Sequence, residues 1–212
     1  MSRDGRVDYD GLRADRAAFD AYVSALASAD VAALSAREQL ALHLNAYNAF
    51  CVRHVLDAPR GLASILDLSR DGAPIWDAVA GELGGDAVSL NDIEHRRLRL
   101  VWDAPELHAC IVCASISCPP LAPFAFRAAT LEGDMRARAA AWLDDQTKGC
   151  ALDAGGAVRL SRIFLWFADD FRSRGGAAQF AADFVADADT ARALRKGPAL
   201  RYFAYDWGLN KK

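Results

Sequence analysis

The sequence lacks the long apolar runs and the concentrated charge that mark several classes of protein. Of its 212 residues 53% are apolar, yet Arg, Asp or Pro interrupts the longest apolar runs well short of the ~20 uncharged residues that a membrane span needs. The 25 basic and 28 acidic side chains give a net charge of −3 with no block of Lys or Arg. Nucleic-acid partners need a concentrated positive surface, so none is expected. The apolar content also argues against a disordered chain.

The sequence also lacks the motifs of common cofactor sites and an apolar leader. It has no glycine-rich phosphate loop, dinucleotide fingerprint or Gly-x-Ser-x-Gly elbow, so no cofactor is expected. The first residues, Met1-Ser2-Arg3-Asp4-Gly5, do not form the apolar core of a signal peptide. We therefore expect a cytosolic protein, or a periplasmic or extracellular one given without its leader.

Periodicity predicts one mostly helical domain packed around a small sheet, which is the α+β class. No repeat or Pro/Ser-rich linker divides residues 1–212, and the core is expected over about 35–210. A first amphipathic helix is predicted from about Leu12 to Ala27. A second begins at a capping box, Ser35 with Glu38, and ends before Pro59.

The middle of the chain contains a predicted buried strand. Ala87 to Leu90 is expected to be a short strand that leads into a helix capped by Asn91. Leu107 to Ala114 is a continuous run of small and apolar residues, which is typical of a central strand buried on both faces. Two prolines, Pro119 and Pro120, prevent its continuation.

The C-terminal half predicts helices and short strands. A helix is expected from Thr130 to about Asp145, then a hairpin around Gly155-Gly156, an aromatic helix from Ser161, two short alanine-rich helices and a last strand. The aromatic side chains of that helix are expected in the core, and the acidic pair beside them at a solvated or loop-bonding end. These residues are Phe164, Trp166, Phe167, Phe171, Asp169 and Asp170.

The cysteines are the most unusual feature. They number five, so they cannot all pair within one chain. Cys113 lies near the end of the predicted strand, before a Ser-rich turn, where a nucleophile would face a cleft and a neighbouring imidazole would lower its pKa. Cys51, Cys110 and Cys150 are expected to be structural. A disulfide between Cys113 and Cys118 is allowed by the loop length and is typical of an oxidising compartment.

Two of the four histidines border this cysteine-rich run. His95 follows Glu94 in the predicted helix, and His108 begins the predicted strand. In an extended strand His108 and Cys113 point to opposite faces, so they can pair only if the chain bends. His43 and His54, on the long helix, need no functional interpretation.

A metal site is a further alternative. Cys110-x-x-Cys113 has the spacing of a zinc knuckle, but no second pair completes a tetrahedral site unless Cys118, His108 or His95 contributes. No metal ligands are therefore assigned.

Further polar residues are candidates for binding. Asn45 and Asn48 lie at i, i+3 on the long helix, so they either contact a substrate or, as we favour, tie the helix to a neighbouring loop. Ser115, Ser117 and Cys118 form a turn whose backbone N–H groups would stabilise an anion.

Several segments, in order along nearly the whole chain, resemble the domain of unknown function 547 family. They are Leu44-Asn45-Ala46-Tyr47-Asn48-Ala49, Ser89-Leu90-Asn91-Asp92-Ile93-Glu94-His95, His108 with the run from Val112 to Leu121, Leu160-Ser161-x-Ile163-Phe164-x-Trp166-Phe167-x-x-Asp170-Phe171, and Tyr205-Asp206-Trp207-Gly208-Leu209-Asn210. The chain departs from the family pattern at Phe167, where a Tyr is common. The resemblance implies no established activity, and it suggests either an extracytoplasmic or a protein-interaction role.

The candidate residues leave three functions open. The first is a cysteine-dependent hydrolase or acyl transferase acting on peptide-like amides, with Cys113 as nucleophile, His95 or His108 as base, and Glu94 or an Asn as orienting group. A loose analogy to papain-like and transglutaminase-like cores accompanies it.

The second function is a non-catalytic module that binds a protein, peptide or ligand, in which the polar side chains form a buried network. That network would comprise Asn45, Asn48, Glu94, His95 and His108. The third is a thiol redox or metal site that uses Cys113 and Cys118. The partner is unknown in each case, and a peptide or protein is the expected class.

Overall fold

The fold is α+β, mostly helical, with two small sheets. A computed structural model describes residues 5–212, so the argument about a leader, which rests on the first residues, lies outside the described part. The helices are α1 (Tyr9–Ala14), α2 (Ala17–Ala27), α3 (Ala36–Asp57), α4 (Leu131–Leu143), α5 (Ile163–Trp166), α6 (Ala177–Ala182) and α7 (Ala188–Arg195), and the strands are β1 (Val79–Leu83), β2 (Asp86–Ser89), β3 (Cys150–Leu152), β4 (Val158–Leu160) and β5 (Leu200–Tyr202).

The N-terminal helices largely follow the sequence. The capping box at α3 is confirmed, because the Ser35 N–H donates to Glu38 Oε2 (2.8 Å) and the Glu38 N–H donates to Ser35 Oγ (3.4 Å). The single helix predicted before it is wrong. The backbone of Asp15 leaves the helical region between α1 and α2, which makes two helices.

The two sheets are small and lie apart in sequence. Strands β1 and β2 form an antiparallel hairpin, whose turn, Gly84-Gly85, has positive φ at both residues, as glycine allows. In the second sheet β3 and β4 are antiparallel, and β5 returns parallel to β4. None of the described helices is both long and apolar enough to cross a membrane.

The apolar side chains form two buried clusters. The first surrounds α3, with Leu44, Phe50 and Val55 fully buried. The second lies among α4 to α7 and β3 to β5. It centres on Trp142 and Phe164, whose rings stack at 5.1 Å between centroids. The candidate site lies where segments of the two clusters meet.

The strand predicted from Leu107 to Ala114 does not form. Instead, Pro105–Ala109 is a 3-10 helix and the chain then runs irregularly. Two features explain the difference: a proline opens the helical turn, and the Asn48 side chain supplies hydrogen bonds that a neighbouring strand would have made. Its Nδ2 donates to the Cys110 carbonyl (2.7 Å) and its Oδ1 accepts from the Val112 N–H (2.9 Å). A buried apolar run was therefore compatible with an irregular segment.

The helix after β2 also differs from the expected one. It is a π-helix, Asp92–Arg99, a form that often occurs at functional sites. Ser89 and Asp92 bond reciprocally at its start, whereas Asn91 donates to Asp77 Oδ1 instead (2.6 Å).

Residues 203–212, here called the C-terminal strap, join distant parts of the molecule. Backbone hydrogen bonds link the strap to Val7, Ala63, Ala114, Ile116 and Leu160. The strap therefore contacts both the turn that follows Cys113 and the second sheet.

Candidate functional site

One pocket of about 300 Å³ gathers most of the candidate residues. Its walls come from α3, the π-helix, the irregular segment, α5 and the C-terminal strap. The candidates that line it are Glu94, His95, His108, Cys113 and Cys118. Its remaining lining includes Tyr47, Trp76, Asn91, Trp166, Phe167, Tyr205 and Trp207.

Cys113 and Cys118 are joined as a disulfide in the wall of this pocket. Cys113 is partly exposed and Cys118 is buried. The Tyr205 hydroxyl lies 3.3 Å from each sulfur. Ala114, directly after Cys113, has a φ of +60°, a left-handed conformation that is uncommon outside glycine. This local turn brings the two sulfurs together.

His108 is held by a carboxylate. Its Nε2 lies 2.7 Å from Asp170 Oδ2, and Phe167 stacks on its ring at 4.7 Å. Burial lowers the pKa of His108, and Asp170 partly offsets that shift. Burial alone would raise the pKa of Asp170, but hydrogen bonds from His108 and Arg99 hold that pKa well below its usual range. Asp170 is therefore an ionised acceptor.

Arg99 connects this pair to His95. Its guanidinium binds Asp170 through two bonds, Nε to Oδ2 (2.5 Å) and Nη2 to Oδ1 (2.9 Å), and its Nη1 lies 2.7 Å from His95 Nδ1. Burial and the Arg99 charge both lower the pKa of His95. The two histidines, the arginine and Asp170 thus form one continuous hydrogen-bonded chain.

Glu94 contacts Tyr47 rather than either histidine. A hydrogen bond joins the two side chains, and burial raises the pKa of Glu94 to about 7. The role of orienting a histidine, which the sequence assigned to Glu94 or an Asn, is filled here by Asp170.

The remaining binding candidates have structural partners. The Asn45 amide donates to the Phe126 carbonyl (2.9 Å) and accepts from the Phe126 N–H (2.8 Å). The Asn48 amide binds the irregular segment in the same way. Both asparagines therefore tie α3 to loops, which is the role that we favoured from the sequence. Ser117 Oγ accepts from the Asp206 N–H (2.8 Å). Ser115 Oγ donates to the Tyr205 hydroxyl (3.1 Å).

The backbone donors of the turn are largely engaged. The Ile116 N–H donates to Gly208 (2.8 Å), that of Ser117 to Asp206 (3.2 Å) and that of Cys118 to Ser115 (3.3 Å). These three N–H groups therefore do not form the anion site expected from the sequence.

Several residues of the pocket were not predicted from the sequence, or were predicted to lie elsewhere. Asp170 is not a solvated end but the partner of His108. Trp166 is 43% exposed and lines the pocket, so it does not belong to the core. Phe167 is partly buried and packs against the second cluster while it also lines the pocket, whereas Phe164 and Phe171 are buried in that cluster. Tyr205 was not predicted to be a site residue. The one signal for these residues was their presence in segments that resemble the family.

The three other cysteines lie away from the pocket lining, and the described residues form no metal site. Cys51, Cys110 and Cys150 are free and buried. Within residues 5–212 no group of three or more His, Cys, Asp or Glu side chains is arranged to hold a metal ion.

Comparisons with known proteins identify a family. No curated protein and no solved structure matches the chain. The family described as "Protein of unknown function, DUF547" matches residues 31–143, more than half of the chain, including α3, the π-helix and the disulfide. Asp170 and Tyr205 lie beyond the matched residues. The chain belongs to the DUF547 family.

Proposed function

We propose that the protein is a cysteine-dependent hydrolase or acyl transferase that acts on peptide-like amides. Cys113 is the nucleophile, His108 the general base and Asp170 the group that orients His108. The observation that carries the proposal is that one pocket holds a cysteine together with a histidine bonded to an ionised carboxylate, which is the arrangement that activates a nucleophile.

The reaction proceeds by acyl transfer through the thiol. His108 takes the proton of Cys113, and the thiolate attacks the substrate carbonyl carbon to form a C–S bond, while the carbonyl π pair moves to oxygen. Collapse of this oxyanion breaks the C–N bond, and the amine leaves with the proton from His108. Water or another acceptor, deprotonated by His108, then attacks the thioester and releases Cys113 as a thiol.

The disulfide must be opened before this cycle begins. An external dithiol reduces the Cys113–Cys118 bond to two thiols and is itself oxidised to a disulfide. Only then does Cys113 carry a free thiol. Activity is therefore expected to depend on reductant.

The aromatic walls suggest how a substrate is held. The rings of Trp166 and Trp207 stack at 5.8 Å, and Trp76 lies 6.1 Å from Trp207. Such surfaces bind apolar or aromatic side chains next to a reacting carbonyl. We therefore propose a peptide-like substrate with such a group beside the scissile bond.

The test uses a small activated ester, p-nitrophenyl acetate, with dithiothreitol present. We expect the wild-type protein to release one equivalent of p-nitrophenol rapidly as Cys113 is acylated, followed by slower turnover. Cys113→Ala should abolish both phases. The matched control is Cys150→Ala, which removes a buried cysteine of the second cluster and should react as the wild type does. Turnover that survives Cys113→Ala would refute the proposal.

A second candidate function is thiol–disulfide exchange, and the disulfide in the pocket wall favours it. Incubation with a reduced dithiol peptide separates the two functions. Oxidation of the peptide with one Cys113–Cys118 disulfide reduced to two thiols for each peptide disulfide formed, without any ester acylation, would support exchange rather than acyl transfer.

A further inference from the structure

We infer that His95 is a second catalytic residue, which donates its Nε2–H to the substrate carbonyl oxygen as that oxygen becomes negative, and that Arg99 positions it for this role. The inference deepens the proposed function and rests on it. It assigns different tasks to the two histidines of the pocket, where the sequence left either one as the base.

The hydrogen-bond partners determine where each ring carries its proton. An arginine is always a donor, so His95 Nδ1, 2.7 Å from Arg99 Nη1, must accept, and the proton of the neutral ring lies on Nε2. An ionised carboxylate is always an acceptor, so His108 Nε2 donates to Asp170 and its Nδ1 keeps a lone pair.

The nitrogens that remain therefore have opposite character. Neither His95 Nε2 nor His108 Nδ1 has a hydrogen-bond partner within residues 5–212. Both rings line the pocket, His108 with only 2% of its side chain exposed, so these are the ring nitrogens left for a ligand there. His108 consequently offers a base, and His95 offers a donor.

The site needs such a donor. The N–H groups of Ile116, Ser117 and Cys118 are used in backbone pairing, so the turn next to Cys113 leaves these three unavailable to a developing oxyanion. Donors aimed at that oxygen contribute much of the rate in acyl transfer. A neutral imidazole N–H is suited to this task.

The surrounding charges keep His95 neutral. Arg99 lies on its own helix, while Asp170 and Asp77 approach from other segments and Glu94 precedes it in the chain. Burial and Arg99 lower the pKa of His95 more than the two aspartates raise it. A neutral ring with the Nε2–H tautomer is thus the expected form near neutral pH.

Two reactions of the reduced protein separate a donor from a base. Alkylation of Cys113 by iodoacetamide needs the thiolate but forms no oxyanion. Acylation by p-nitrophenyl acetate needs the thiolate and also passes through an oxyanion that must be stabilised. His95→Leu should leave the alkylation rate within about twofold and lower acylation on the order of 10²- to 10³-fold. His95→Gln, which keeps an N–H, should recover much of the loss. His108→Gln should slow both reactions, and His54→Gln is the histidine control expected to change neither.

A measurement without substrate tests the tautomer. ¹⁵N-histidine NMR of the wild-type protein should place the His95 proton on Nε2, and Arg99→Leu should remove that preference. A proton on Nδ1 in the wild type would overturn the inference, as would equal losses of alkylation and acylation in His95→Leu. If that variant does not fold, His95→Met replaces it.

The outcomes also distinguish the two proposals. If the wild type is not acylated at all, the proposed function fails and the inference with it. If the wild type is acylated and His95→Leu is acylated as fast, the inference alone fails.

Discussion

Asp170 is the residue on which the polar side chains of the pocket converge. His108 and Arg99 both bond to its Oδ2 (2.7 and 2.5 Å), and Arg99 passes the connection to His95. A single carboxylate thus sets the proton position of one histidine directly and supports that of the other through the guanidinium. Its loss should affect catalysis more than its partial exposure suggests.

Asp170→Asn should lower ester turnover on the order of 10³- to 10⁴-fold. The carboxylate charge that stabilises protonated His108 would be lost. Because Arg99 bonds to both oxygens and His108 to Oδ2, the amide NH₂ would face either Arg99 Nη2 or both Arg99 Nε and His108 Nε2. Turnover against pH and ¹⁵N-histidine NMR are the measurements. Asp169→Asn is the matched control, since Asp169 is exposed and pairs with Arg172. Asp170→Asn with more than about a tenth of wild-type turnover would contradict this role.

Single residues were predictable where their own chemistry is distinctive. Cys113, His95 and His108 stand out because few side chains are nucleophilic or titrate near neutral pH. Asp170 carries no such signal. It lies 62 positions from His108 in a segment where two adjacent aspartates look solvated. Only the tertiary fold, in which the 3-10 helix Ala168–Arg174 brings Asp170 to Arg99 and His108, places it at the site.

Among the elements, α3 positions the segment that leads to Cys113. Two asparagines on one side of it hold two separate loops, Asn45 at Phe126 and Asn48 at Cys110 and Val112. Each amide pairs with one carbonyl and one N–H, as a neighbouring strand would.

Asn48→Ala should decrease the free energy of unfolding by about 2–4 kcal/mol, because it leaves a buried carbonyl and a buried N–H without partners. The substitution should also slow iodoacetamide alkylation of reduced Cys113, because Cys113 directly follows the segment that Asn48 holds in place. Urea unfolding and alkylation kinetics measure the two effects.

Asn45→Ala provides the comparison for this prediction. It removes the same amide from the same helix face and should also destabilise the fold, but alkylation of Cys113 should remain at the wild-type rate. Equal alkylation rates in the two variants would show that the Asn48 clamp does not position the cysteine.

Elements were predictable where local chemistry determines them. The Ser35 and Glu38 box marks the start of α3, and the glycines at 155–156 mark the β3–β4 hairpin. The irregular structure of the segment from Leu107 to Ala114 was not predictable, because its hydrogen-bond partner is the side chain of Asn48, more than 60 positions away. Burial predicted from composition does not distinguish a strand from a loop held by such a side chain.

At the scale of the whole molecule, the two apolar clusters meet around the pocket. The first supplies α3 and the π-helix, and the second supplies α5 and the segment that carries Asp170. The helical character and the small sheets were predictable from periodicity, whereas this division was not, because it depends on contacts between distant segments.

The stability of the whole molecule should depend on His43. This residue of α3 is 6% exposed, and neither ring nitrogen has a partner. Burial, with a contribution from Arg97, lowers its pKa from 6.5 to about 4. As the pH falls through this range the unfolded chain binds the proton first, so the free energy of unfolding should decrease by up to about 3 kcal/mol.

His43→Leu should remove this part of the acid sensitivity. The urea midpoint of the variant should fall less than that of the wild type between about pH 7 and pH 4, since Leu takes up no proton. Parallel decreases in the two proteins would contradict the assignment to His43.

The C-terminal strap sets the order in which the site can be completed during synthesis. A chain leaves the ribosome from its N-terminus, so Cys113 and Cys118 emerge long before Tyr205, whose hydroxyl lies between their sulfurs and Ser115. Until the strap has been translated, the turn that follows Cys113 lacks its backbone partners. A nascent chain therefore carries its thiols without a finished pocket, and activity should begin only after the last strand and the strap have been made.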